Sequence, residues 1–484
     1  MTYSRRHFLQ RGVAFSVGFG GLSLLMGRHG HSMTSALAGE SGLPGLPGTY
    51  GSLVRDAHKL LDLPSGFSYK VISRQGTKMA DGLIVPGCPD GMASFPAADG
   101  LTLIVRNHET EATWLKASPY GQDNSLLSTI DPSNLFDKGH GKFPSLGGTT
   151  TLVYDTKTQT LRREFLSLAG TNRNCAGGPT PWGSWLSCEE DVTNKGDGDA
   201  ELDHGWVFEV PAKDKIEIAP PSPIKAMGRF KHEAVAIDPR TGIVYLSEDK
   251  SDGLLYRFIP HQRTNLHAGG RLQALMIAEK KSCNTSNHAD APTIQRGQRL
   301  AIKWIDMQET DAPKDDLRTR GFAAGAAMFA RGEGMWWGEP IEHEGERLPG
   351  RVYFAATIGG KSNKGQIWRY IPSEYEGTPK EIDTPGQLEL FIEPNDGKIV
   401  ENADNVTVAP WGDLFVCEDS ASDEVDPGNR LLRIRPDGTV STFAHNVLSS
   451  SELAGVCFSP DGSTMFLNIQ ADGLTLAVTG PWRS

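Results

Sequence analysis

The stretch from Asn174 to Glu190, NCAGGPTPWGSWLSCEE, sets a thiol at Cys175, a second thiol at Cys188 and the adjoining carboxylates Glu189 and Glu190 around a Gly, Pro and Trp turn. Core packing alone does not ask for that mixture. A thiolate with carboxylate oxygens is a ligand set for a transition metal, and adjacent carboxylates also suit a hard cation such as calcium. A tight turn with two buried cysteines, bridged or not, accounts for the same residues. Short acidic or amide motifs recur elsewhere: Asn107-His108-Glu109 after LTLIVR, His232-Glu233 in GRFKHEAVAID, Arg331-Gly332-Glu333 in MFARGEGMWW, and Glu401, Asn402, Asp404 and Asn405 in ENADNVTVAP.

A single Glu at a strand end is ordinarily just solvated. Here Glu109, Glu190, Glu233, Glu333 and Asp404 each fall near a predicted strand terminus in a different part of the chain. Carboxylates that converge repel one another unless cations neutralise them. Arg331 lies two residues before Glu333, and on an extended backbone such residues face the same way. A guanidinium beside a metal-bound carboxylate suits a phosphate gripped by metal on one side and by a fork of donors on the other, although a plain Arg–Glu surface pair explains the spacing too. His108 and His232 each precede a Glu and are expected to face away from it. No HExxH helix, complete phosphate-binding P-loop, GxSxG elbow or dinucleotide fingerprint is present, which weakens nucleotide-driven and serine-hydrolase readings.

Ser4-Arg5-Arg6-His7-Phe8-Leu9 reads as a twin-arginine export signal, with a weakly apolar run from Val13 to Met26 and a small-residue cleavage site at Ala36-Leu37-Ala38. Gly18, Gly20, Gly21 and Arg28 interrupt that run well before the ~20 apolar residues a membrane span needs. Residues 1–38 are expected to be removed, leaving 39–484 as a single domain in the periplasm or outside the cell, with no stable membrane anchor. Export in the folded state fits a cofactor loaded beforehand. The signal carries four Arg and no other charge, so its loss takes the formal charge from −11 to −15. That acidity argues against nucleic acid as a partner. Six cysteines in an exported chain of 484 residues are too few for a disulfide scaffold, and their pairing is open. A monomer is the default.

Short strands must position these groups. GIVYLSEDKSDGLLYRFIP, GRVYFAATIGGKSNKGQIWRYIP, GDLFVCEDSASDEVDPGNRLLRIRPDG and GVCFSPDGSTMFLNIQ each read as an apolar strand, a polar turn and a second strand, and TTTLVYDTKTQTLRREF is a further hairpin. Hairpins recurring at irregular spacing in a chain of this length predict an all-β fold, a β-propeller of six blades, with loops at 39–60, 110–147 and 283–316. Loops at one mouth of such a fold bring distant motifs together.

Taken in order, the twin-arginine signal, NHE at 107–109, NCAGGPTPWGSWLSCEE at 174–190, GRFKHEA at 228–234, RGE at 331–333 and GVCFSPDGSTMFLNIQ near the end resemble the PhoX-type alkaline phosphatases. The resemblance implies a six-bladed propeller with iron and calcium in its channel, hydrolysing phosphate monoesters. By motif, it implies Cys175 as an iron ligand, Glu109, Glu190 and Glu233 as carboxylate ligands, Glu333 and Asp404 as calcium ligands, and Arg331 with Asn107 as holders of the phosphate. This chain is shorter than the longer family members, and it has Gly332 where they carry proline. A calcium-dependent lactonase or phytase, and a calcium-stabilised propeller that only binds a partner, are the alternatives; neither gives Cys175 a role.

Overall fold

Runs rich in Val, Ile, Leu, Tyr and Phe, each closed by Gly, Pro, Asp or Asn, fold as antiparallel hairpins throughout the chain. The computed structural model describes residues 50–420 and 429–482, and the export signal expected at 1–38 lies outside them. One short α-helix, Leu317–Ala324, is present among the described residues, so the fold is all-β.

A set of inner strands organises the molecule: β1 (Pro89–Pro96), β2 (Asn174–Pro179), β3 (His232–Ile237), β4 (Gly332–Gly338), β5 (Ala403–Val408) and β6 (Leu453–Phe458). Five of them pair with the strand that follows directly in sequence, and β4 pairs with Arg351–Ala356, beyond a small separate hairpin of Ile341–His343 and Glu346–Leu348; further strands extend the sheets outward. The inner strands pack in sequence, β1 on β2, β2 on β3, β3 on β4, β4 on β5, β5 on β6, and β6 back on β1. This ring makes the fold propeller-like. Ser68–Arg74 pairs with Leu474–Thr479, so an N-terminal strand completes the C-terminal sheet and closes the circle.

The approach between inner strands is close enough to need glycine. A Cβ on Gly91 of β1 would stand 2.5 Å from Ala176 Cα on β2, and one on Gly455 of β6 would collide with the Asp90 carbonyl. Between the second and third sheets, Leu186, Val207, Phe230, Val235, Leu246 and Tyr256 form a buried apolar layer.

Residues 110–147 run irregularly with short 3-10 turns, as the sequence suggests. The stretch 283–316 departs from its expected loop: Arg299–Asp306 is a strand that pairs with Gly270–Ile277 on one side and Gln387–Ile392 on the other, joining two sheets. Its apolar residues, Leu300, Ala301, Ile302, Trp304 and Ile305, do not alternate with polar ones, so the run lacks the period-two pattern of a half-buried strand.

Candidate active site

Every inner strand begins in the same way. Its first residue pairs with the last residue of the neighbouring strand: Pro89 with His108, Asn174 with Glu189, His232 with Glu248, Gly332 with Ala356, Ala403 with Glu418 and Leu453 with Ile469. In the first five strands the register breaks at once in a bulge, which re-aims the second residue, whereas in the sixth Ala454 still pairs with Asn468 and the break follows it. The residue after the neighbouring strand donates its N–H to the carbonyl of the residue before the inner strand: Glu109 to Cys88, Glu190 to Arg173, Asp249 to Lys231, Thr357 to Arg331, Asp419 to Asn402 and Gln470 to Glu452. Each repeat thus presents three equivalent positions. Second residues are Asp90, Cys175, Glu233, Glu333, Asp404 and Ala454, so all but the last carry an acid or a thiol.

Three linked groups arise from this array. Ligand atoms of Cys175, Glu190 and Glu233 lie within 4.8 Å of one another, as do those of Glu233, Glu333 and Asp404, and those of Asp404, Asp419 and Glu452. Glu233 belongs to the first two groups and Asp404 to the last two. Of these, Cys175, Glu190, Glu233, Glu333 and Asp404 are all at least nine-tenths buried. Burial pushes the Glu233 carboxyl well above the usual range, and the nearby Glu333, Asp404, Glu190 and Asp90 push it further. Its Oε2 has no hydrogen-bond partner among the described residues. Burial, followed by Glu233, Glu190 and Asp90, likewise raises the Cys175 thiol. Acids so placed either take up protons or accept cations. The donor sets fit metal: a thiol with two carboxylates suits a softer ion such as iron, and all-carboxylate groups suit a hard one such as calcium.

Basic side chains sit beside these acids. Arg331 directs Nε to Asp249 Oδ1 at 2.7 Å, while one Nη reaches Asp249 Oδ2 at 3.3 Å and Glu333 Oε1 at 2.5 Å. The expected pairing of Arg331 with Glu333 therefore occurs, by another route than a straight strand: Arg331 precedes β4 with φ of 60°, a left-handed bend. Gly332 is outside the left-handed region, and a Cβ there would come within 3.2 Å of the Glu248 carbonyl, so room rather than turn geometry favours glycine. Arg173, with φ of 48°, binds Glu109, Glu111 at 2.8 Å and Glu190 at 3.0 Å. Lys231 reaches the other Glu190 oxygen at 3.1 Å.

Other residues singled out in the sequence are placed differently. Asn107 is wholly buried; its amide donates to the carbonyls of Cys175 and Ala176 and accepts from Trp185 Nε1 and Ser187 Oγ, each at 2.9 Å. Both ends of that amide serve the backbone and side chains around β2. Glu109 is outside the three metal-like groups, with its oxygens on Arg173 and on Gln470 Nε2, the latter at 2.9 Å. His108 bonds the Gly87 carbonyl and Thr150, and His232 the Gly228 carbonyl; burial holds both imidazoles neutral, with His232 pushed down to about 3. All six cysteines are free thiols, so Cys175 and Cys188 are not bridged.

The model of the family described as alkaline phosphatase PhoX matches residues 48–153 and 146–473. The chain belongs to the PhoX family. Among solved structures it is similar to PhoX from Pseudomonas fluorescens in complex with vanadate, a transition state analogue, at 18% identity and a TM-score of 0.61, covering 87% of this chain and 96% of that one. A Bacteroides thetaiotaomicron protein of unknown function, at 9% identity over 85% of this chain and 76% of its own, overlaps with a TM-score of only 0.40. No curated protein matches the sequence.

Within the PhoX fold, Asp90, Arg173, Lys231, Asp249, Asp419, Glu452 and Gln470 belong to the same array, and none of them is among the residues the sequence motifs single out. A signal for some of them existed. NHE, CEE, SED, CED and NIQ all close the second strand of a hairpin, and aligning those endings marks Asp249, Asp419 and Gln470 at once.

Proposed function

We propose that this PhoX protein is an exported, metal-dependent phosphomonoesterase, with iron held by Cys175, Glu190 and Glu233, and calcium by Glu233, Glu333 and Asp404. The linked donor groups, sharing Glu233 and Asp404, are the observation that carries this reading. Bound there, the metals would supply the positive charge and Lewis acidity that phosphate ester hydrolysis needs. Arg331 would hold the equatorial phosphoryl oxygens, its guanidinium aimed by Asp249 and Glu333. Glu109 supports this set as a ligand or, through Arg173, as a neighbour that fixes Glu190. Asn107 contributes by locking Cys175 and Ala176 in place, which keeps the thiol aimed. Six inner strands in a closed ring support a six-bladed propeller. The twin-arginine motif supports export to the periplasm or beyond; in this reading residues 39–484 act as one domain and a monomer.

The deciding experiment measures hydrolysis of 4-nitrophenyl phosphate and of a simple lactone by purified protein, with and without chelator, alongside metal analysis. Phosphate release that chelator abolishes, with iron and calcium present, supports the proposal. Lactone cleavage without phosphatase activity, or calcium with no iron, overturns it in favour of a calcium-dependent lactonase.

A further inference from the structure

Arg331 has counterparts. The residue before the inner strand is Arg173 in the second repeat, Lys231 in the third and Arg331 in the fourth, fixed in each case by the same backbone hydrogen bond. Arg173 and Arg331 share the left-handed bend as well. Each cation reaches back to the acid that follows the second strand of the preceding repeat: Arg173 to Glu109, Lys231 to Glu190 and Arg331 to Asp249. The series is continuous, because Glu190 takes Arg173 on one oxygen and Lys231 on the other, and Lys231 feels both Glu190 and Asp249. The acids are buried, yet the side chains of Arg173, Lys231 and Arg331 keep 15%, 27% and 25% of their surface exposed. Three cations on consecutive repeats thus line the same rim beside the candidate metal groups.

We infer that Arg173 and Lys231 extend Arg331 into an arc that receives a second anionic group, so that phosphate esters carrying two phosphates are the favoured substrates. The inference rests on the reading that Arg331 holds the phosphate being cleaved. A point charge on a flexible stem, such as Lys231, suits a phosphate whose position varies with the ester, whereas a guanidinium fork fixes one.

The test compares kcat/KM for a sugar bisphosphate with that for the matching monophosphate, in wild type, Lys231→Met and Lys231→Arg. The ratio within one sample does not depend on how fully the protein is loaded with metal. Lys231→Met should lower the ratio by roughly tenfold, the scale of one charge-assisted hydrogen bond, and Lys231→Arg should restore most of it. Calorimetric affinities for pyrophosphate against orthophosphate should shift in the same sense. Equal losses on both esters, or unmoved ratios, would mean that Lys231 only neutralises Glu190, and the inference fails. Should wild type cleave neither ester, the underlying reading fails instead, and the pyrophosphate ratio still decides whether the arc exists.

Discussion

Glu189 and Glu190 are consecutive, equally buried and opposite in circumstance. Glu189 points back into the sheets, where its oxygens accept from His204 at 2.7 Å and from the backbone N–H groups of Asn172, Gly205 and Trp206. Glu190 points to the channel, among Cys175, Glu233 and the rim cations. The same division recurs in other repeats. Glu418 is held at 2.7 Å by both Nε and Nη2 of Arg430 whereas the following Asp419 joins Asp404 and Glu452, and Glu248 accepts from Tyr256 whereas Asp249 turns to Arg331. Of the acids facing the sheets, Glu189 and Glu418 have both oxygens bonded by partners the fold supplies, and Glu248 has one oxygen bonded and the other 3.7 Å from Arg318; acids facing the channel crowd one another. A buried carboxylate identifies a functional site only when its neighbours leave charge to be neutralised from outside.

The strongest way to break this contrast is at Glu233, which two donor groups share. Glu233→Gln should cut phosphatase activity by more than roughly a thousandfold, as loss of an essential group does, and lower the metal content. Stripped of metal, the variant should melt higher than stripped wild type, because one member of a mutually repelling set has become neutral. A stripped variant that melts lower would show that Glu233 is satisfied within the fold, like Glu189. Next comes Arg331→Ala. Removing one group that stabilises charge in the transition state lowers kcat/KM by about 10²–10³, and metal analysis should find the ions retained. Unchanged kinetics would return Arg331 to an ordinary ion pair.

On the sheet side, the corresponding probe is His204. Burial alone would lower its pKa, but Glu189 and Asp137 together outweigh burial and raise it to about 10. A group whose folded pKa exceeds its unfolded value gives stability that is whole below the unfolded value, near 6.5, and declines as pH climbs to the folded one. Wild type should therefore lose thermal stability steadily between pH 6.5 and about 10. His204→Gln should lose about 2 kcal/mol at neutral pH, the worth of hydrogen bonds to charged groups, and should show a flatter melting profile over that window. A profile as steep as that of wild type would place the titration elsewhere.

The hairpins, the all-β class and most of the acids were legible because each is local: period-two alternation, turn residues and a Glu at a strand end can all be read within a dozen residues. The surroundings of Asn107 are not legible in NHE, because the residue is wholly buried and the groups that bond its amide oxygen, Trp185 and Ser187, lie on the neighbouring sheet. Lys231 does not stand out inside GRFKHEA, because a lone lysine is ordinary until it is seen to hold, one repeat after Arg173 and one before Arg331, the position those arginines hold. Such equivalences depend on the register of each hairpin, which bulges shift and sequence spacing does not report.

The two cysteines of the opening segment give the mildest test and a sharp one. Cys188 faces the apolar layer with Leu186, Val207, Phe230 and Val235, and burial alone accounts for its raised thiol. Cys175 is equally buried, but its sulfur lies 3.4 Å from the His232 carbonyl and 3.5 Å from that of Glu233, and acids contribute to its shift. Cys188→Ala should therefore behave as a small core truncation, losing roughly 1 kcal/mol, with metal content and phosphatase activity kept. Cys175→Ala should retain the fold and lose iron. If both variants keep full iron, the thiol at Cys175 is core like its partner, and the metal donors must be carboxylates alone. If Cys188→Ala is the one that loses iron, the strand carrying it is turned the other way, and the division between sheet-facing and channel-facing residues fails at the segment that first suggested it.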